Sequence, residues 1–166
     1  MQRRPLLFVD IDGPLNPYDR GNRSARRAGY VRHSIEGFTV KLKRAHGAAL
    51  LALPFELVWA TTWRDDANTL IGPRIGLPRL PVCEFPSGDE GAPEPVHFKT
   101  PGIVGYAAGR AFAWIDDEVT GADRAWVAER HGGPALLHRV DPAAGLRAAD
   151  FGALAAWAED PVPPAP

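Results

Sequence analysis

Four short apolar runs, each followed closely by polar residues, constrain the fold of this 166-residue chain more than any other feature. The runs cover residues 6–9, 57–60, 112–115 and 135–137. None of them alternates apolar with polar residues, and unbroken runs of this length are typical of strands buried on both faces. Because such strands usually belong to a parallel sheet covered by helices, the pattern predicts an α/β fold.

Helical patterns separate the apolar runs. We expect helices over residues 35–53, 65–71, 101–108, 121–131 and 150–159, with Pro54 ending the first and Gly72-Pro73 the second. Residues 14–34 and 72–95 fit neither pattern, so we predict that they are short inserts in a single domain covering residues 1–160. The Pro-rich segment 161–166 is expected to form a disordered tail.

The composition excludes several classes of protein. Lys and Arg total 19 and Asp and Glu total 20, a net charge of -1 that excludes a strongly basic nucleic-acid coater. A single cysteine, Cys83, excludes an internal disulfide framework, and the five histidines show no zinc-binding spacing. The opening apolar run is too short for a signal peptide or a membrane span. We therefore expect a cytoplasmic enzyme or binding domain without membrane association.

Carboxylates cluster where the first and third apolar runs end. Asp10 and Asp12 follow the first run, with Gly13 allowing a sharp turn, and Asp116 and Asp117 follow the third. Ligands of open α/β sheets bind at the carboxyl ends of the strands. Neighbouring carboxylates repel each other, and a hard cation bound through oxygen relieves the repulsion. Each pair alone is also compatible with a solvated turn.

Two further polar positions lie between these carboxylates along the chain. Thr61 and Thr62 end the second run, where a hydroxyl could bind an anion or cap the next helix. Lys99 precedes a predicted helix start at Pro101, and a loop lysine by itself indicates only a solvated side chain. Taken in chain order, the set supplies a nucleophile, a proton donor, a phosphate anchor, a cation and ligands for Mg²⁺.

The segments LLFVDIDGPLNP, LVWATTW, HFKT and AWIDDE, in this order, resemble the motifs of the haloacid dehalogenase superfamily, most of whose members are Mg²⁺-dependent phosphatases. They span residues 6–118. The resemblance implies a doubly wound, Rossmann-like three-layer sandwich with a central parallel sheet, a central first strand and only small cap insertions. The sequence departs from the family at Pro14, often Thr or Val, where proline removes an N–H donor and stiffens the turn.

The resemblance also implies a role for each matching residue. Asp10 matches the nucleophile, and Asp12 matches the general acid/base, whose backbone carbonyl also binds the metal. Thr61 matches the phosphate-binding hydroxyl, with Thr62 as the alternative if the register slips by one residue. Lys99 matches the lysine that steadies the nucleophile and the phosphoryl oxygens. The expected metal ligands are Asp10, Asp12, Asp116 and Asp117, the last of them either directly or through a water molecule.

These roles imply a Mg²⁺-dependent phosphatase that hydrolyses a phosphate monoester through an aspartyl-phosphate. The expected substrate is a small phosphorylated molecule, and the alternative is a nucleotide or a nucleic-acid end. Arg20 and Arg23 in the first insert could hold a second anionic group or could be solvated. Gly13 is a further candidate for substrate contact, and Trp63 either stacks on a base or sugar or packs in the core.

Two other function classes are compatible with these residues. A non-catalytic binding domain could retain the fold, although the intact carboxylates favour an enzyme. A signalling receiver also uses strand-end Asp, Thr and Lys with Mg²⁺. Its acidic pair lies at the first strand and its phosphoacceptor at a later one, whereas here the Asp-x-Asp pattern comes first. No feature of the sequence predicts an oligomeric state.

Overall fold

Parallel strands form the centre of the structure, a computed structural model that describes residues 3–18, 21–85 and 92–163. The strands in the described ranges are β1 Leu6–Val9, β2 Val31–Ile35, β3 Phe38–Leu42, β4 Glu56–Trp59, β5 Phe112–Asp116 and β6 Ala135–Arg139. Four of them form one parallel sheet in the order β4-β1-β5-β6. The other two, β2 and β3, pair antiparallel in a separate sheet. The four apolar runs are therefore confirmed as parallel strands, with β1 in the interior of the sheet.

Helices lie between the strands and after the last of them. They are α1 Asn22–Arg27, α2 Arg44–Ala52, α3 Gly72–Ile75, α4 Thr100–Ala107, α5 Gly121–Arg130 and α6 Ala148–Glu159, with a π-helical turn at Ala67–Ile71. Within the described ranges, no helix combines the length and the apolar character needed to cross a membrane. The predicted α/β class is confirmed, and the helices predicted over 101–108, 121–131 and 150–159 lie within two residues of their expected bounds.

Alternate side chains along β1 belong to two different hydrophobic clusters. Leu7 and Val9 of β1 belong to one cluster, together with residues of α2, α3 and α6. Leu6 and Phe8 belong to the other, together with residues of α4 and α5. Because successive residues of a strand point to opposite faces, the sheet is buried on both sides. This two-sided burial explains why the apolar runs do not alternate with polar residues.

The prediction of a helix over residues 35–53 is wrong for its first half. Glu36 and Gly37 have positive φ angles of 48° and 84° and join β2 to β3, with Ile35 paired to Phe38. Two-residue loops of this kind suit the twist of antiparallel strands. The helix α2 begins only at Arg44. The first insert was predicted to end at residue 34. It extends instead through the β2–β3 hairpin to Leu42.

The second predicted helix also differs from expectation, because Gly72-Pro73 does not end it. The π-helical turn runs into α3, in which Pro73 occupies the first turn, where its missing N–H is not needed. The helix ends instead at Gly76, which has a left-handed φ of 81°. Val82, in the second insert, forms one isolated parallel bridge to Trp59 of β4.

The remaining predictions about chain organisation concern segments that are only partly described. Residues 86–91 of the second insert and 164–166 of the tail lie outside the described residues. Residues 161–163 have no regular secondary structure. The single domain over residues 1–160 stays a prediction.

We predict opposite effects on stability for two glycine-to-alanine substitutions within helices. A Cβ at Gly47 of α2 would lie 1.9 Å from the carbonyl oxygen of Ile75, so Gly47→Ala should lower the free energy of unfolding by about 2 kcal/mol or more. A Cβ at Gly152 of α6 has no neighbour within 4 Å, so Gly152→Ala should raise it by up to about 1 kcal/mol. Urea unfolding of both variants measures the difference, and equal stabilities would contradict the α2–α3 packing described here.

Candidate active site

The parallel pairing of β1 with β5 brings two buried carboxylates to the same edge of the sheet. Val9 pairs with Ile115, so Asp10 and Asp116, which follow these residues, lie side by side. Lys99, immediately before α4, points its ammonium group between them. Its Nζ lies 3.0 Å from Oδ2 of Asp10 and 2.8 Å from Oδ2 of Asp116. All three side chains are buried, so the chain has placed two acids and one base in a water-poor position.

Burial and the attraction between opposite charges shift the pKa of Lys99, and likewise that of Asp10, in opposite directions. Burial alone would lower the pKa of Lys99, but the carboxylates of Asp10 and Asp116 outweigh it, and the pKa is raised. Burial raises the pKa of Asp10 from 3.8 to about 8, with Lys99 opposing this shift and Asp116 adding to it. One ammonium therefore does not fully compensate two buried carboxylates, and the site favours additional positive charge.

A third carboxylate completes the cluster. Oxygen atoms of Asp10, Asp116 and Asp117 all lie within 4.8 Å of one another. Gly13 has a φ of 94°, and a Cβ there would lie 2.5 Å from Oδ1 of Asp117, so the turn approaches this carboxylate as closely as it does only because position 13 has no side chain. Tyr18 donates a hydrogen bond from its hydroxyl to Oδ2 of Asp117. Burial raises the pKa of Asp117, and this hydrogen bond opposes the rise.

Asp12 lies in the same turn, but its side chain is not part of the cluster. Its Oδ1 accepts a hydrogen bond from the side-chain amide of Asn16 at 2.8 Å, and its Oδ2 accepts one from the indole N–H of Trp63 at 2.9 Å. Asn16 in turn accepts a hydrogen bond from the backbone N–H of Lys41 at 2.9 Å. The position of the Asp12 carboxylate is therefore set by the loop after β4 and, through Asn16, by the β2–β3 hairpin.

The two threonines after β4 have different surroundings. Thr61 is fully buried, and its hydroxyl accepts a hydrogen bond from the backbone N–H of Trp63 at 3.3 Å. Thr62 is exposed and lines the cavity beside Asp10. Thr62, the alternative register, therefore lines the cavity, whereas the hydroxyl of Thr61 is engaged within the turn.

A cavity of about 220 Å³ brings five of the predicted site residues together. The residues that line it are Asp10, Asp12, Tyr18, Thr62, Phe98, Lys99, Asp117 and Glu118. A second cavity of about 450 Å³ adjoins it and shares Asp12 and Thr62 with it. Trp63 lines only this second cavity. Residues as far apart in the sequence as Asp10 and Glu118 thus meet in one small space.

Of the two predicted arginines, the one that the structure describes lines neither cavity of this site. Arg20 lies outside the described residues. Arg23 is exposed on the first turn of α1 and lines neither of the two cavities. Other basic residues of the hairpin region, Arg26, Arg32 and Lys41, line a separate cavity with Tyr30.

Sequence reasoning did not identify the buried Asp123, which fixes the segment carrying Lys99. Asp123 accepts hydrogen bonds from the backbone N–H of His97 at 2.8 Å and from the hydroxyl of Thr100 at 2.7 Å. It also accepts two hydrogen bonds from Thr120, which caps α5. Although burial opposes it, these hydrogen bonds lower the pKa of Asp123. The capping pattern Thr-x-x-Asp at 120–123 was the available signal.

The sequence matches no protein-family model, and no curated protein is significantly similar to it.

We predict that Asp10→Asn stabilises the protein in the absence of divalent cations, and more so at pH 8 than at pH 5. The pKa of Asp10 is about 8 in the fold and ordinarily 3.8, so folding favours the protonated form. Stability is therefore lost as the pH rises from 3.8 towards 8. Because asparagine does not ionise, the advantage of the variant should grow by at most about 1.4 kcal/mol per pH unit.

Urea unfolding in a chelating buffer, repeated from pH 5 to pH 8, measures this effect. The control is Glu129→Gln, which neutralises an exposed carboxylate and should show no comparable trend with pH. A difference between Asp10→Asn and the wild type that does not change with pH would mean that Asp10 ionises normally in the fold.

Proposed function

We propose that this protein is a phosphatase of the haloacid dehalogenase type, which hydrolyses a phosphate monoester through an aspartyl-phosphate on Asp10. The observation that carries the proposal is the position of Asp10. It lies in a small cavity with Lys99 on one side, the carboxylates of Asp116 and Asp117 close by, and Asp12 two residues further along the same turn. This is the set of groups that the resemblance of the four sequence segments implies.

The topology supports the same proposal. The resemblance implies a central first strand, and β1 lies between β4 and β5 in the parallel sheet. The motifs after β1, β4 and β5 all lie at the carboxyl edge, where ligands of open α/β sheets bind. With hydrophobic clusters on both faces of the sheet, we propose a doubly wound three-layer sandwich.

The cluster of Asp10, Asp116 and Asp117 fits a hard divalent cation. Its donors are all oxygen atoms, two of its three carboxylates share one ammonium group, and a side chain at position 13 would collide with Asp117. The choice of Mg²⁺ among such cations comes from the resemblance. When bound, Mg²⁺ would neutralise charge on the phosphate and favour the ionised form of Asp10.

Asp10 is the nucleophile in the proposed reaction. One of its carboxylate oxygens attacks phosphorus, and the bond from phosphorus to the ester oxygen breaks as the aspartyl-phosphate forms. Lys99, at 3.0 Å from Asp10, orients this carboxylate and offsets negative charge on the phosphoryl oxygens. Thr62, exposed in the same cavity, supplies a hydroxyl for phosphate.

Asp12 is the proton carrier in the proposed reaction. It gives its proton to the leaving oxygen in the first step. In the second step it takes a proton from the water that attacks phosphorus, the bond to Asp10 breaks, and phosphate leaves. Its hydrogen bonds to Asn16 and Trp63 hold it apart from the carboxylate cluster, as this separate role requires.

We predict Mg²⁺-dependent hydrolysis of phenyl phosphate that Asp10→Ala abolishes, reducing kcat by a factor of about 10⁴ or more. The reason is that the variant lacks the carboxylate that attacks phosphorus, so the aspartyl-phosphate cannot form. Release of inorganic phosphate measures turnover, and mass spectrometry of acid-quenched enzyme should find a phosphoryl group on the peptide containing Asp10.

One control variant and two alternative outcomes make this result interpretable. Glu129→Gln, a surface change, should keep full activity. Retained activity in Asp10→Ala would exclude Asp10 as the nucleophile. Binding of phosphate without hydrolysis of any ester in the wild type would indicate the alternative function, a non-catalytic binding domain.

We also predict that the effect of Asp12→Asn depends on the leaving group. A phenol with strongly electron-withdrawing groups leaves without protonation, whereas an alkoxide needs a proton from the enzyme. The loss of kcat/KM should therefore be at least about tenfold greater for ethyl phosphate than for 4-nitrophenyl phosphate. A loss that is the same for both esters would mean that Asp12 only supports the structure of the turn.

A further inference from the structure

The larger cavity beside the carboxylate cluster lies between the β2–β3 hairpin and the loop after β4. Its volume is about 450 Å³, and it is lined by Asp12, Asn16, Glu36, Phe38, Thr39, Val40, Thr62, Trp63 and Asp66. It joins the smaller cavity at Asp12 and Thr62. A phosphate bound beside Asp10 would therefore have its ester oxygen near Asp12 and the rest of the molecule in the larger cavity.

Two aromatic side chains form a wall of this cavity. The ring centroids of Phe38 and Trp63 lie 6.5 Å apart, with the rings inclined at 73°. Phe38 is 66% exposed, directly after the tight turn of the hairpin, where a polar residue would be the ordinary choice. Trp63 is fixed by the hydrogen bond from its indole N–H to Asp12. The wall thus offers apolar surface and aromatic edges to a flat ring.

The charge of the cavity restricts what it can hold. Asp12, Glu36 and Asp66 contribute three carboxylates, and none of the described residues that line it is Lys, Arg or His. An anionic leaving group, including the backbone of a nucleic acid, would be repelled. A neutral or positively charged group would be accepted.

We propose that the larger cavity binds the leaving group of the substrate, and that this group is a flat apolar ring carrying a positive charge. The inference rests on the proposed phosphatase function and names its class of substrate. Phe38 and Trp63 contact the ring, and Glu36 and Asp66 attract the charge. These hairpin and loop residues determine specificity, whereas the cavity beside Asp10 performs the chemistry.

A set of aryl phosphates that differ only in the charge of the leaving group tests the proposal. The set consists of 4-ethylphenyl phosphate, its analogue with a terminal amine (tyramine phosphate) and its analogue with a terminal carboxylate. The expected kcat/KM is about fivefold higher for the amine than for the neutral ester, and lower again for the carboxylate. A 5′-phosphorylated oligonucleotide should be a poorer substrate than any of them.

Variants separate the contribution of the ring from that of the charge. Phe38→Ala should lower kcat/KM for the aryl esters about three- to tenfold and leave ethyl phosphate, which is too short to reach the wall, unchanged. Combined Glu36→Gln and Asp66→Asn substitutions should remove the preference for the amine. The matched control is Val31→Ala on the same hairpin, because Val31 is equally solvent-facing and does not line this cavity.

A binding measurement makes the outcome independent of turnover. Tyramine alone should shift the NMR resonance of the Trp63 indole N–H, and Phe38→Ala should weaken the shift. Hydrolysis of all esters at rates that depend neither on charge nor on Phe38, with no shift from tyramine, would overturn this inference and leave the phosphatase function standing. Absence of hydrolysis for every ester would overturn the function, and with it the assignment of a leaving group.

Discussion

The ammonium group of one buried lysine, shared by two buried carboxylates, is the interaction on which the rest of this structure depends. Lys99 contacts Asp10 and Asp116 at 3.0 and 2.8 Å where water is largely excluded. Buried ion pairs are a weak source of stability, since desolvation opposes the attraction. The sheet must therefore impose the arrangement: β1 and β5 hold the two acids side by side, and Asp123 fixes the segment that carries Lys99.

The central sheet could be predicted from sequence because burial on both faces leaves an unmistakable pattern of unbroken apolar runs. The hairpin could not be predicted in the same way. Phe38 and Leu42 fit a helical spacing with residues further along, and they also fit the two-residue spacing of a strand through Val40. The tight turn at Glu36-Gly37 makes this segment a pair of strands and not a helix. The sequence Glu-Gly is not one of the strongest signals for such a turn, so the helical spacing was the more obvious interpretation.

At the site, the residues that follow strands could be predicted because the topology of parallel strands carries them to one edge. What the sequence could not determine is the direction of each side chain. Thr61 and Thr62 are adjacent, and the backbone conformation after β4 decides which of them lines the cavity and which is buried. The contact of Tyr18 with Asp117 spans 99 positions, and no local pattern encodes a pairing over such a distance.

The absence of a side chain at Gly13 has a consequence for how this chain can diverge. A methyl group there would occupy the space of Asp117, so this position tolerates no replacement while the acidic centre is kept. The tip of the hairpin is under no such restriction, since Glu36 and Phe38 are solvent-facing and pack little against the interior. Descendants of this sequence could therefore acquire new selectivity by exchanging residues at the hairpin tip, with glycine at position 13 inherited unaltered.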